Sequence, residues 1–208
     1  IVTPNSEIVY SAKSDPSLRK LLNDADLVIP DGIGVVKASK ILKTPLKEKV
    51  AGIDLASALF EKLNGTSKSL YFLGAKPGVA EKAAKKLLEK YPGLSIKGVQ
   101  DGYYQEENAV IEEINRLSPD VLFVCLGSPR QEKFMADYKD KLSVHLMLGL
   151  GGSLDVFSGE SKRAPKLFIK FGLEWFYRLL KEPKRFFRML ALRKFILYVF
   201  FKGRTEHA

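Results

Sequence analysis

At 208 residues, 46% of them hydrophobic, the chain can build one well-buried core, or one core with an appendage, and a multidomain reading is unfavourable. Its formal net charge of +10 is lopsided: Lys162 to Arg204 holds 13 basic and 2 acidic side chains, against 21 and 22 in the remainder. Two histidines, His145 and His207, and the single Cys125 argue against His-based triads, His-rich metal sites and internal disulfides, so a reducing compartment is expected.

The chain starts at Ile1 inside a strand-like run, without an initiator Met or a cationic-then-apolar leader, so no secretory signal is expected and there is room for missing residues upstream. Strand candidates follow at Ile1 to Thr3, Leu27 to Ile29, Leu70 to Leu73, Ile96 to Val99, Val121 to Leu126 and Leu146 to Leu150. Helical patterns lie between them. Val35 to Leu42 is one, and a run through Ala80, Ala84, Leu87 and Leu88 opens at Lys76-Pro77-Gly78 and closes at Tyr91-Pro92-Gly93. Asn108 to Leu117 is another, stopped by Ser118-Pro119. This alternation predicts an α/β fold, a Rossmann-like, mostly parallel sheet with helices on both faces, over residues 1–160. A compositional break near Gly159 to Pro165 starts a helical, basic C-terminal appendage, residues 161–208. Cys125, inside an apolar run, reads as a buried inert thiol.

Ligands of open α/β sheets sit beyond the carboxyl ends of the strands, which singles out the loops at Thr3-Pro4-Asn5, Pro30-Asp31-Gly32, Gly74-Ala75-Lys76, Gly127-Ser128-Pro129 and Gly149 to Ser153. Asp31, in a glycine-flanked turn, fits a general base and an N-cap of the next helix equally well. Gly32-x-Gly34 is not a dinucleotide fingerprint, because the third glycine position is Lys37. Asp24-Ala25-Asp26 has the spacing of a metal-binding D-x-D, yet it precedes its strand and belongs to the opposite end of the sheet, where a polar loop is the favoured reading.

Gly127-Ser128-Pro129-Arg130-Gln131-Glu132 reads as a helix start with Ser128 at the N-cap and Pro129 at N1, leaving backbone amides that attract phosphate. Ordinary capping, with Glu132 complementing the helix dipole, is the alternative; Arg130 and Gln131 tilt the balance toward a diphosphate. Gly149, Gly151 and Gly152 crowd one strand end and permit close backbone approach to a ligand. Asp155 just beyond them suits a sugar or nucleoside hydroxyl and a cap equally.

In the arm, aromatics such as Phe171, Trp175, Phe176 and Tyr198 interleave with Lys170, Arg178, Lys181, Arg185 and Arg188, the pattern of a basic amphipathic helix on an anionic bilayer. Phe195 to Phe201 falls far short of the roughly 20 residues needed to span a membrane, so it is expected to dip into the interface. Packing is a competing use for Phe168 to Leu180, on the body or in an oligomer. Nucleic acid is disfavoured, since the body shows no recognisable RNA- or DNA-binding motif.

Thr3-Pro4-Asn5, Pro30-Asp31-Gly32-Ile33-Gly34, Val50 to Leu55, Leu73 to Gly78, Leu126 to Glu132, Gly149 to Asp155, Lys162-Arg163-Ala164-Pro165 and Gly172-Leu173-Glu174-Trp175 occur in that order. Together they closely resemble the WecG/TagA/CpsF glycosyltransferase family, from Thr3 to about Arg188. The resemblance implies inverting, metal-independent transfer without a cofactor. For the TagA-like branch, N-acetylmannosamine passes from UDP-ManNAc to the GlcNAc of GlcNAc-diphospho-undecaprenol, an early step of wall teichoic acid linkage-unit synthesis; related members use UDP-ManNAcA. It further implies a protein peripheral on the cytoplasmic face of the membrane. A non-catalytic sugar-nucleotide or lipid-binding module is the competing class, and the apolar arm would encourage self-association without a membrane.

Carried over residue by residue, the resemblance makes Asp31 the base, with Thr3 and Arg178 beside it in catalysis. It also places Asn5 and Gln131 in the pocket and Arg185 and Arg188 at the active site, and with the loop readings above Gly32, Lys49, Gly74, Ser128, Arg130, Gly149, Gly151, Gly152 and Asp155 join them as expected substrate-binding residues. Arginine suits a diphosphate because its planar fork can bond two oxygens at once. Lys49 stands where members commonly carry Arg, which keeps the charge and loses that fork.

Overall fold

Four of the expected runs form one parallel sheet: β1 (Ser69–Gly74), β2 (Ser95–Gln100), β3 (Val121–Cys125) and β4 (Leu146–Gly149), in the order β2-β1-β3-β4. The computed structural model describes residues 1–181 and 186–205. β1 and β3 lie in the middle and are buried throughout, as strands covered on both faces must be, which is why they read as continuous apolar runs. Alternation sorts their side chains. Phe72 and Phe123 stack on one face at 5.4 Å, and Phe60 of α4 (Gly52–Leu63) closes on both. Helices α5 (Val79–Lys90) and α8 (Ser153–Phe157) complete that layer through Ala80, Ala83, Leu87 and Leu154. Each fully buried phenylalanine here contributes about 1.5–3 kcal/mol. Helices α6 (Glu107–Leu117) and α7 (Arg130–Tyr138) cover the other face, where Tyr71 and Leu117 crowd Gly98.

The two expected strands at Ile1 to Thr3 and Leu27 to Ile29 shrink to a single parallel bridge, Val2 with Val28. Ile1 still accepts a hydrogen bond from the Gly149 amide at 3.0 Å, next to β4. Pro4 and Pro30 stop both segments, because proline has no N–H with which to continue a ladder.

The chain divides into two units. Ile1–Thr3, Leu21–Val28 and Gly52–Lys162 make the first, which holds the sheet; Pro4–Lys20, Ile29–Ala51 and the chain from Arg163 make the second. Helix α2 (Pro16–Asn23) contributes residues to both. The second unit is helical: α1 (Ser6–Ser14), α3 (Ile33–Ile41), α9 (Lys166–Lys170), α10 (Glu174–Lys181) and α11 (Phe186–Thr205). Phe195 and Val199 of α11 are buried with Ala38 of α3, and Val9 and Tyr10 of α1 pack against them. A Cβ on Gly34 would stand 2.2 Å from Ser6 Oγ and 3.4 Å from Ser6 Cβ, so glycine lets the Ser6 side chain of α1 lie against α3. The stretch expected at a lipid interface therefore has two faces. Phe195 and Val199 point inward, while Leu197, Phe200 and Phe201 are 56%, 42% and 62% exposed.

Candidate active site

In the first unit, the carboxyl ends of β3 and β4 bring Thr3, Gln131, Gly149 and Gly151 together. The buried Thr3 hydroxyl donates to Gly149 O at 2.7 Å. Gln131, on the first turn of α7, accepts the Gly151 amide on Oε1 at 2.9 Å and donates from Nε2 to Glu132 Oε1 at 3.0 Å. Gly149 is glycine because α7 presses on it: a Cβ there would meet Met135 Cε at 2.9 Å and Gln131 Nε2 at 3.0 Å. Gly151 turns with φ +53, in the left-handed region that favours glycine. Gly152 caps α8, so that cap does not fall on Asp155, whose carboxylate leans toward Gly152 from the helix's first turn.

Ser128 does not cap α7, as the sequence had suggested. The cap is Pro129, without a side-chain bond, and the Gln131 amide closes on Gly127 O at 2.8 Å rather than on the Ser128 hydroxyl. Arg130 turns away to donate to Gly102 O at 2.6 Å, with its guanidinium 4.8 Å from the centre of the Tyr104 ring. Burial raises the Tyr104 hydroxyl above its ordinary pKa, and Arg130 opposes that rise. Arg130, Lys133, Glu107 and Asp137 line an open cleft of 350 Å³ along α7. At Gly74, with φ +128, a Cβ would sit 2.3 Å from Cys125 O, so the close approach of β1 to the end of β3 requires glycine there. The Cys125 thiol is pushed up to about 12 by burial, which makes it an inert core group.

In the second unit, the Asp31 amide donates to Pro4 O at 3.1 Å and Val50 N to Pro30 O at 3.1 Å, fixing the turn that carries Asp31. The cap of α3 is Gly32, at φ +125, with no side-chain cap bond; Asp31 stands one residue outside the cap position. Asn5 caps α1, its Oδ1 accepting from Glu7 N at 2.9 Å and Ile8 N at 3.1 Å, so only its amide nitrogen remains to donate to a ligand. Lys49 forms a half-buried ion pair with Glu174, whose other oxygen lies 3.9 Å from Arg163 Nε. Arg185 lies outside the described residues, as do the side chains of Arg178, on α10, and Arg188, on α11.

Sequence reasoning missed two of these acids. Glu132 passed for a dipole partner, and only burial shows it bonded to Gln131. Glu174 had a legible signal: it is one of 2 acidic residues in a strongly cationic stretch, the setting in which a carboxylate collects partners. Asp26 of the D-x-D pair is exposed and lies 3.4 Å from Lys139.

The sequence pattern of the glycosyl transferase WecG/TagA/CpsF family matches residues 1–208. The N-acetylglucosaminyldiphosphoundecaprenol N-acetyl-beta-D-mannosaminyltransferase of Bacillus spizizenii (strain W23) is 42% identical over 199 residues, 96% of this chain and 77% of that protein. The protein of the same name from Bacillus subtilis (strain 168) is 41% identical over 96% of this chain and 78% of its own length. That of Staphylococcus aureus (strain MW2) is 37% identical over 94% and 77% respectively. With a match along its whole length and relatives this similar across nearly all of it, the chain belongs to the WecG/TagA/CpsF family of glycosyl transferases.

Proposed function

We propose that the protein transfers N-acetylmannosamine from UDP-ManNAc to the GlcNAc of GlcNAc-diphospho-undecaprenol, with inversion and without a metal. The observation that carries the transferred sugar and its acceptor is the name shared by relatives at 37–42% identity over 94–96% of the chain; inversion without a metal is part of the proposal. Asp31 takes the proton from the acceptor hydroxyl as that oxygen attacks the anomeric carbon; the bond to UDP breaks and the electron pair leaves with the diphosphate. In support, Asp31 stands in the turn at Pro30-Asp31-Gly32, held by the bonds of its amide to Pro4 O and of Val50 N to Pro30 O, immediately before the Gly32 cap of α3.

The glycine loop Gly149 to Gly152 takes the donor diphosphate on its backbone, with Thr3 and Gln131 holding the loop. Asn5, Lys49 and Asp155 contribute polar contacts to the sugars, and Arg178, Arg185 and Arg188 neutralise the charge that develops on UDP, the part a metal plays elsewhere. A fully substituted Asp31→Asn enzyme should lose about 10²–10⁴ in turnover with UDP binding retained. Near-normal UDP release by that variant would refute the base. Arg178→Ala should lower turnover more than it weakens UDP binding; equal losses would mean simple ground-state binding.

Residues 161–208 bring the enzyme to the anionic inner face of the membrane, where its lipid-linked acceptor resides. In support, Leu167, Phe171 and Leu180 are 64%, 67% and 61% exposed among the arm's lysines. Without a membrane the same surface favours self-association. Among the described residues, no helix is long and apolar enough to cross a membrane.

A further inference from the structure

We propose that Glu132 is a positioning residue, which fixes the Gln131 carboxamide so that its oxygen holds the Gly151 amide and shapes the glycine loop for the donor diphosphate. The inference rests on the reading that this loop binds the donor. A glutamine side chain is nearly symmetric in shape, and its two ends are told apart only by their partners. Here the Gly151 N–H settles which end is which. It can only donate, so the carboxamide oxygen must face it and Nε2 is left to donate to Glu132 Oε1; a flipped carboxamide would set donor against donor at Gly151 and lose the bond to Glu132.

Burial argues that this is the use of Glu132. The residue is 2% exposed, and its Oε2 has no hydrogen-bond partner among the described residues. A carboxylate that served only the dipole of α7 would do so from the solvated side of the first turn, without the desolvation that a sealed, half-satisfied carboxylate suffers. Gln131 is equally buried and lies over Gly149, whose absent side chain leaves it room, and the Thr3 hydroxyl holds the carbonyl of that same glycine. Glu132, Gln131, Gly151 and Thr3 thus form a connected set in which the loop is tied at Gly149 and again at Gly151. Glu132 touches no ligand; it acts through Gln131.

The test uses the full chain and compares Glu132→Ala, Glu132→Gln, Gln131→Glu and the double exchange Gln131→Glu/Glu132→Gln. UDP binding is measured by calorimetry, together with KM for donor and for acceptor. Glu132→Ala should weaken UDP binding and raise donor KM by roughly tenfold, the worth of one hydrogen bond, with acceptor KM unchanged. Glu132→Gln keeps an acceptor oxygen and should recover most of that loss. Gln131→Glu sets two carboxylates side by side. The double exchange restores both bonds, since the new carboxylate accepts from Gly151 and from the new carboxamide, so it should regain most of the affinity Gln131→Glu loses.

Wild-type affinity in a folded Glu132→Ala variant, or an equal rise in donor and acceptor KM, would overturn the proposal. Should Glu132→Ala not fold, the exchange pair decides, and absence of recovery in the double variant overturns it. Failure of the wild-type chain to bind UDP at all would instead overturn the functional reading beneath it.

Discussion

A methyl group added at Gly74 would meet a backbone carbonyl, whereas one added at Gly149 would meet only the tips of Met135 and Gln131. Backbone cannot move aside and side-chain tips can, so the two substitutions separate stability from function. Gly74→Ala also forces a side chain into φ +128 and should cost about 3 kcal/mol or more in urea denaturation. Gly149→Ala should cost about 1–2 kcal/mol, yet weaken UDP binding by displacing Gln131. Glycine density marked these loops in the sequence, but what each glycine makes room for was not legible: Gly74 serves strand packing and Gly149 serves α7. Glu132 was illegible for a related reason, since an acid on a first helical turn looks the same whether solvated or sealed. At Ser128 the cap expected from sequence falls one residue later, on Pro129, and the Gln131 amide bonds the Gly127 carbonyl instead of the hydroxyl.

Among the elements, the four paired strands were legible because burial on both faces leaves long apolar runs, and the two bridge segments were overread because their prolines cut them short. Beyond its hydrophobic faces the sheet has a polar fastening at its amino end. Asp120, just before β3, accepts from the amide and hydroxyl of Ser69, each at 2.9 Å, and from Lys68 Nζ at 2.8 Å. Those bonds hold its carboxyl well below the usual carboxylate range. A folded-state pKa below the unfolded one means stability that is present above the usual carboxylate pKa and lost as pH falls through it toward the folded value. Urea midpoints taken from about pH 7 down to about pH 3 should therefore fall for the wild type, and fall less steeply for Asp120→Asn.

The inward face of α11 could not be read from sequence, because apolar residues surround that helix and its contact on α3 is a plain alanine, Ala38. Phe195→Ala should destabilise by about 3–5 kcal/mol, and Phe201→Ser by far less. Thermal unfolding monitored by circular dichroism distinguishes them.

At the scale of the whole molecule, the proposed membrane role rests on the charge asymmetry and the exposed apolar residues from Leu167 to Leu180, since cations are attracted to an anionic leaflet and aromatics and leucines favour its interface. Replacing Leu167, Phe171 and Leu180 with serine should lower binding to anionic liposomes while UDP affinity is kept, as read by co-sedimentation and calorimetry. Equal binding by the substituted protein would remove the arm from that role. The central claim, sugar transfer with Asp31 as base, is tested most directly by UDP release from UDP-ManNAc in the presence of a GlcNAc-diphospho-lipid acceptor, with wild type and Asp31→Asn compared at equal UDP occupancy. The account predicts acceptor-dependent release matched by disaccharide formation in the wild type, and its near loss in the variant. UDP binding without release by the full chain on membranes, or release that does not depend on acceptor, would contradict it.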